Sequence, residues 1–430
     1  MKYFGTDGVR GVAFEKLNSD LAFRIGQSFK LYTDTKEIVI GLDTRESSNL
    51  LGYSVALGAM QAGIDVIFLD VVPTPVVAYI SKKRQIIGVM ITASHNPFTD
   101  NGIKVFVNGY KSSEEVETKI EDFIDNGKLV YAEKAGKFSY STDSITKYIE
   151  LYDGFDLSGL DIRVGYDSAN GANYKLANTI FNKVFKNAIQ INSNPNGKNI
   201  NLNCGSTYMD AIIKVVKENG LDIGFSFDGD SDRILVSDEY GNIVDGDLLI
   251  YVIGCYLKDN GRLRNNAVVL TVMSNPGIIK AFKDKQIDVI QVSVGDKYVF
   301  EALDKNDLSL GGENSGHIIM RDILHTGDGV LVAIMVLQIL KETGKTINQL
   351  VKGVKLFKQK TSNIRGAESS VLGTERVKNA IMLAKQELGE NSLLLVRQSG
   401  TEPLIRVTVS HEDENLVDKV INELIVAIKQ

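Results

Sequence analysis

Three times along the chain an apolar run stops at a polar turn, and a helix-length segment and a second apolar run follow. Residues 38–43, 162–167 and 268–272 open the three units. Second runs lie at 65–69, 188–191 and 288–292, and third runs lead into the polar segments 92–97, 228–233 and 311–317. Short apolar runs bounded by turn residues read as buried strands, and their alternation with helical segments predicts βαβ units. Crossovers in such units are right-handed, so the loops that follow the strands gather on one edge. The pattern changes near the end. Residues 374–388 have helical period, 392–397 and 404–410 read as strands, and 412–429 as a closing amphipathic helix. The expected fold is therefore three similar α/β domains with mixed, mostly parallel sheets and a small C-terminal α+β domain. Boundaries are expected near residues 150, 250 and 365, giving segments 1–150, 151–250, 251–365 and 366–430.

The loops differ in chemistry. Thr92-Ala93-Ser94-His95-Asn96-Pro97 puts one hydroxyl beside an imidazole at a strand end, where α/β proteins meet their ligands. Asp100-Asn101-Gly102-Ile103-Lys104 adds a carboxylate and an amine. Asp228-Gly229-Asp230-Ser231-Asp232-Arg233 crowds three carboxylates that a cation would reconcile. Alternate residues of an extended strand lie about 7 Å apart, so the backbone must curl to share one ion. Gly229 is expected to permit the curl. A calcium loop is excluded, because Arg233 stands where such a loop needs glycine. A Mg²⁺ held by Asp228, Asp230 and Asp232 is the reading. Gly311-Gly312-Glu313-Asn314-Ser315-Gly316-His317 offers polar side chains between glycines, suited to sugar-like hydroxyls. Arg397-Gln398-Ser399-Gly400-Thr401 has the donors of a phosphate cradle. Arg10 in a glycine-rich N-terminal loop and Lys297 after a strand are further cations. No Walker sequence occurs.

Composition narrows the class. Hydrophobic residues at 43% and charged residues at 24% are those of a globular protein. A net charge of −6 argues against a nucleic-acid partner. Cys204 and Cys255 are too far apart in sequence to suggest a metal motif. The N-terminal residues carry no secretory pattern, and the apolar stretches at 248–257 and 330–340 are too short to span a bilayer. A cytoplasmic location without membrane association is expected.

Together these loops resemble the α-D-phosphohexomutase superfamily, in order and over essentially the whole chain. The opening Phe4-Gly5-Thr6-Asp7-Gly8-Val9-Arg10-Gly11, the sugar loop at 312–317 and the stretch 397–406 are most similar to its bacterial branch acting on glucosamine phosphate. The resemblance implies four domains around a central cleft. It implies reversible conversion of glucosamine 6-phosphate to glucosamine 1-phosphate, feeding UDP-N-acetylglucosamine and cell-wall precursors. Ser94 would carry a phosphoryl group, primed by a sugar bisphosphate or by phosphorylation, and pass it through a bisphosphorylated sugar. Mg²⁺ on the three aspartates, with an oxygen at Ser94, would neutralise charge. Lys104 and Arg10 would assist proton movement, with Arg233 on the transferring phosphate and His317 near the sugar. Lys297, Glu313, Asn314 and Ser315 would hold the sugar. Arg397, Ser399, Gly400 and Thr401 would hold the non-reacting phosphate. A homodimer is also implied. Phosphomannomutase/phosphoglucomutase activity and sugar-phosphate hydrolysis are the alternatives. Ser231 stands where relatives commonly have glycine.

Overall fold

The computed structural model describes residues 2–5, 7–31, 35–141, 143–185, 187–366, 369–398 and 404–429. Four sheets follow one another along the chain. In the first, the strand Glu37–Leu42 lies between Asp65–Val71 and Ile87–Ile91 and is parallel to both. The strand Ile87–Ile91 leads into the serine loop, and Asp100–Val107 returns antiparallel beside it. The second sheet repeats this: Val164–Asp167 runs parallel to Ile189–Ile191 and Ile223–Phe227, and Ile234–Asp238 returns antiparallel. In the third, Ala267–Thr271 runs parallel to Asp288–Val292 and Leu310–Gly312, and Ile318–Met320 returns. Each chemical loop is therefore the turn between a core strand and its antiparallel return. Among the described strands, parallel pairing is confined to the three core strands of each unit and the Phe138–Tyr140 edge.

The C-terminal sheet is antiparallel, with Leu404–His411 between Lys358–Arg365 and Leu393–Gln398. Lys358–Arg365 falls on the sugar-loop side of the boundary expected near 365, yet its pairing assigns it to this last sheet. Its nearly unbroken run of polar residues, mostly exposed, hid it from a reading based on apolar runs.

One buried core runs through the first three units. It joins Val76 and Val77 of the first to Phe225 and Phe227 of the second and to Leu249, Val332 and Val336 of the third. The helix Gly329–Thr343 is apolar nearly all round and almost wholly buried, as a central helix requires. Its N-cap, Asp328, accepts from Leu331 N at 3.0 Å and from the hydroxyls of Tyr148 and Tyr152. That ties residues 143–154, which leave the first unit, to the third. The C-terminal unit closes over its own cluster, including Ile405, Val407, Val417 and Leu424. Among the described residues no helix is long and apolar enough to cross a membrane.

Candidate active site

The serine loop and the acidic loop meet where the first two units join. Ser94 is buried, with φ 52°, in the left-handed region. Its hydroxyl donates to Asp228 Oδ2 at 2.6 Å and lies 3.2 Å from His95 Nδ1. Burial, then Arg233 and Arg10, push His95 down to about 4, so its imidazole is neutral at pH 7.

Asp228, Asp230 and Asp232 each bring a carboxylate oxygen within 4.8 Å of the others, and all three are buried. The curl that achieves this differs from expectation. The left-handed residue is Ser231, φ 60°, rather than Gly229. Glycine at 229 answers a different need: a Cβ there would lie 2.6 Å from the Ser94 carbonyl oxygen. Ser231 keeps its strained backbone because its neighbours hold it. Its hydroxyl accepts from Asn173 Nδ2 at 2.9 Å, and its carbonyl accepts from Gly329 N at 3.0 Å.

The carboxylates are unequally served. Asp228 accepts from Ser94 Oγ and, at 3.2 Å, from Arg233 N. Burial, then Asp232 and Asp230, push its carboxyl well above the usual range. Asp230 Oδ2 accepts from Thr74 Oγ1 at 2.6 Å and from Lys104 Nζ at 2.9 Å. Asp232 Oδ2 takes Lys104 Nζ at 3.3 Å and lies 3.7 Å from His317 Nδ1. Burial acts to raise Asp232, but Lys104, His317 and Arg233 hold it well below the carboxylate range. Among the described residues, Oδ1 of Asp230 and Oδ1 of Asp232 are buried without a hydrogen-bond donor, the latter with only Arg233 Nε nearby at 3.8 Å. Buried carboxylate oxygens without partners are costly, and two of them beside Asp228 fit an oxygen-preferring divalent cation.

Lys104 also pairs with Asp7 at 3.1 Å. Although burial opposes it, Asp230, Asp7 and Asp232 raise its ammonium well above its ordinary value. Arg10 pairs with Asp7. Arg233 lies 3.8 Å from Asp232 through Nε, and an isolated antiparallel bridge couples Arg233 to His317. Gly316 is required there: with φ 91°, a Cβ would stand 2.0 Å from the Ile234 carbonyl oxygen. His317 is buried, and burial works against its charge, but Asp232, Asp296 and Glu313 raise it.

The sugar loop is held by the residues preceding Lys297. Glu313 Oε1 accepts from Gly295 N at 2.9 Å, and Oε2 accepts from Ser315 Oγ at 3.3 Å. The Asn314 carbonyl accepts from Gly246 N at 3.1 Å. Lys297 Nζ is 3.9 Å from Glu114 of the first unit. A cavity of about 260 Å³ opens between these units, lined by Asp7, Lys104, Lys111, Lys297 and Tyr298 among others. Arg397 is exposed at the end of its strand; Ser399, Gly400 and Thr401 lie outside the described residues.

Several residues at the site were not singled out from sequence. Lys111 bridges Asp7 and Asp296, 2.5 Å from the latter, and Asp296 lies 3.8 Å from His317 Nε2. Thr74 reaches across from the first unit to Asp230. These contacts span long sequence separations, so no local spacing announces them.

Comparison with known proteins agrees along the chain. Models of phosphoglucomutase/phosphomannomutase match in order: alpha/beta/alpha domain I at residues 1–130, domain II at 142–241, domain III at 245–357 and the C-terminal domain at 357–426. The phosphoglucosamine mutase of Fusobacterium nucleatum is 40% identical over 443 residues, covering 98% of each chain. The fold matches a phosphoglucomutase/phosphomannomutase family protein from Burkholderia thailandensis, with TM-score 0.84 and 21% identity over 99% of this chain and 97% of that one. It also matches Aspergillus fumigatus N-acetylphosphoglucosamine mutase in complex with GlcNAc-6P and magnesium, with TM-score 0.68 and 17% identity over 99% and 95%. Four successive domain matches and identity of this degree over the full length establish one kinship: the chain belongs to the α-D-phosphohexomutase superfamily, in its phosphoglucosamine mutase family.

Proposed function

We propose that the protein interconverts glucosamine 6-phosphate and glucosamine 1-phosphate through a phosphoryl group carried on Ser94. The observation that carries this is the buried Ser94 hydroxyl, 2.6 Å from a carboxylate of a triad that retains two oxygens without hydrogen-bond donors. In the forward direction the sugar O1 attacks phosphorus. The P–O1 bond forms as the P–Oγ bond to Ser94 breaks; the O1 hydroxyl gives up its proton and the departing Ser94 Oγ takes one up, so the seryl hydroxyl is restored with no net proton released. The resulting 1,6-bisphosphate turns over in the cleft and returns its 6-phosphoryl group to Ser94.

Asp228, Asp230 and Asp232 would hold Mg²⁺, which supplies charge neutralisation at the transferring phosphoryl oxygens. Arg233 is assigned to that phosphoryl group. Lys104 and Arg10 serve the reacting hydroxyl, and His317 stands on the sugar side with its charged form favoured by the nearby Asp232 and Asp296. Glu313 and Ser315 take sugar hydroxyls, assisted by Asn314 and Lys297. Arg397, with Ser399, Gly400 and Thr401, grips the phosphate that is not reacting. That grip accepts either end of the bisphosphate and disfavours its loss to water. A cytoplasmic homodimer belongs to the same reading.

Coupled assays with the 6-phosphates of glucosamine, glucose and mannose test it. The highest kcat/KM is expected for glucosamine 6-phosphate. Preference for glucose or mannose phosphate would replace this reading with that of a phosphoglucomutase/phosphomannomutase. Stoichiometric release of inorganic phosphate would replace it with hydrolysis.

A further inference from the structure

Arg45 is the largest of the fully buried side chains, and it lies beneath the serine loop. A guanidinium has five N–H donors in a rigid fork. All five are used here. Nε donates to Asp43 Oδ2 at 2.8 Å. Nη1 donates to the carbonyls of Pro97 and, at 3.0 Å, Asp100. Nη2 donates to the carbonyls of Ser94 at 2.8 Å and Asn96 at 3.0 Å. One side chain therefore gathers four carbonyls of the loop that carries the reacting hydroxyl. Asp43 fixes the guanidinium in turn. It accepts from Arg45 N and Ser48 Oγ through Oδ1, and from Thr92 Oγ1 at 2.8 Å through Oδ2. Thr92 Oγ1 then accepts from Ser94 N at 2.9 Å, which closes the circuit on the serine itself. From the second unit, Asn201 Nδ2 reaches the same Ser94 carbonyl at 2.9 Å and Asn96 O at 3.2 Å.

We propose that Arg45 is a positioning residue for phosphoryl transfer, holding Ser94 in its left-handed conformation with Oγ turned to the acidic loop. Left-handed backbone at a residue other than glycine persists only where the surroundings over-determine it. Here the Ser94 carbonyl has two donors and its amide a third partner. Because the peptide is planar and trans, turning the Ser94 carbonyl onto Arg45 directs the His95 N–H the opposite way. That amide has no protein acceptor among the described residues. Lysine at position 45 would keep the charge but present three donors at one point, leaving loop carbonyls unpaired.

This inference rests on Ser94 being the phosphoryl carrier, so the test measures both. R45K and N201A are compared with the wild-type protein by kcat and KM on the sugar phosphate, by thermal melting and by intact mass. With rates corrected for folded protein and for phosphate on Ser94, R45K is expected to lose kcat by roughly 10²-fold, the scale of a misplaced reacting group. Its KM should stay within about twofold, because the proposed sugar and phosphate grips lie on other units. N201A removes the outer donor and also places alanine at a left-handed residue, φ 58°; with melting read alongside, it should lose kcat by about tenfold at unchanged KM. A folded, phosphorylated R45K with wild-type kcat overturns the proposal, as does a loss expressed in KM. Should R45K not fold, an N201A protein with wild-type kcat overturns it. An active wild-type protein without phosphate on Ser94 refutes the carrier reading instead.

Discussion

Replacing Asp228 by asparagine should stabilise the metal-free protein while removing its function. Among the described residues no lysine or arginine side chain forms an ion pair with Asp228, whereas Asp230 and Asp232 share Lys104. One oxygen from each of the three lies within 4.8 Å of the others, and at that distance two unit charges repel by about 3 kcal/mol at an effective dielectric constant near 20. The sign follows from the raised carboxyl. A folded-state value above the unfolded one means that ionising Asp228 disfavours folding, increasingly so above its unfolded value of 3.8. Asparagine fits the same hydrogen bonds: Oδ1 can accept from Arg233 N, and Nδ2 can donate to Ser94 Oγ. After allowance for the opposing charge of Arg233, D228N should gain about 2 kcal/mol in EDTA at pH 7. Urea unfolding with and without Mg²⁺ reads this directly. Wild type should be stabilised by Mg²⁺ and D228N much less, and mutase activity should fall by at least about 10²-fold. A D228N protein less stable than wild type in EDTA, or equal stabilisation of both by Mg²⁺, would refute the reasoning.

Two further outcomes test separate parts of the account. Arg397→Ala should raise KM for the sugar phosphate by about tenfold or more and leave thermal stability within about 0.5 kcal/mol, because the side chain is exposed; an unchanged KM removes Arg397 from the phosphate grip. His325 faces the Gly109 carbonyl at 2.6 Å, the Tyr110 ring and Lys82, and burial, then Lys82, push it from 6.5 down to about 4. Its neutral form is the folded one, so stability should fall as pH drops from 6.5 toward 4, by about 2 kcal/mol near pH 5. H325N should flatten that slope in urea titrations at several pH values; identical slopes would dismiss the contribution.

The parts legible in the sequence were those written in adjacent residues. The apolar runs predicted the core strands, and the D-x-D-x-D spacing brought three carboxylates together as expected. The cause of the curl was not legible, because spacing cannot tell a glycine needed for positive φ from one needed for close approach. Gly229 is the second kind, and Ser231 takes the conformation that glycine was expected to supply. Arg45 stood in view two residues after Asp43, which follows the first core strand, but its other acceptors are loop carbonyls about fifty positions away. The charge chain from Arg10 through Asp7 and Lys111 to Asp296 and His317 has the same character. Each member alone resembles a solvated charge, and only packing of the first unit against the third makes them neighbours.

The central claim is that Ser94 carries the phosphoryl group that moves. The direct measurement is rapid-quench transfer from protein labelled with ³²P at its resting phosphorylation site, using one equivalent of glucosamine 6-phosphate, with peptide mapping of the label before and after. The account predicts label on the Ser94 peptide that passes to the sugar no slower than steady-state turnover, and none on an S94A protein. Label on another residue, or transfer slower than turnover, would contradict it.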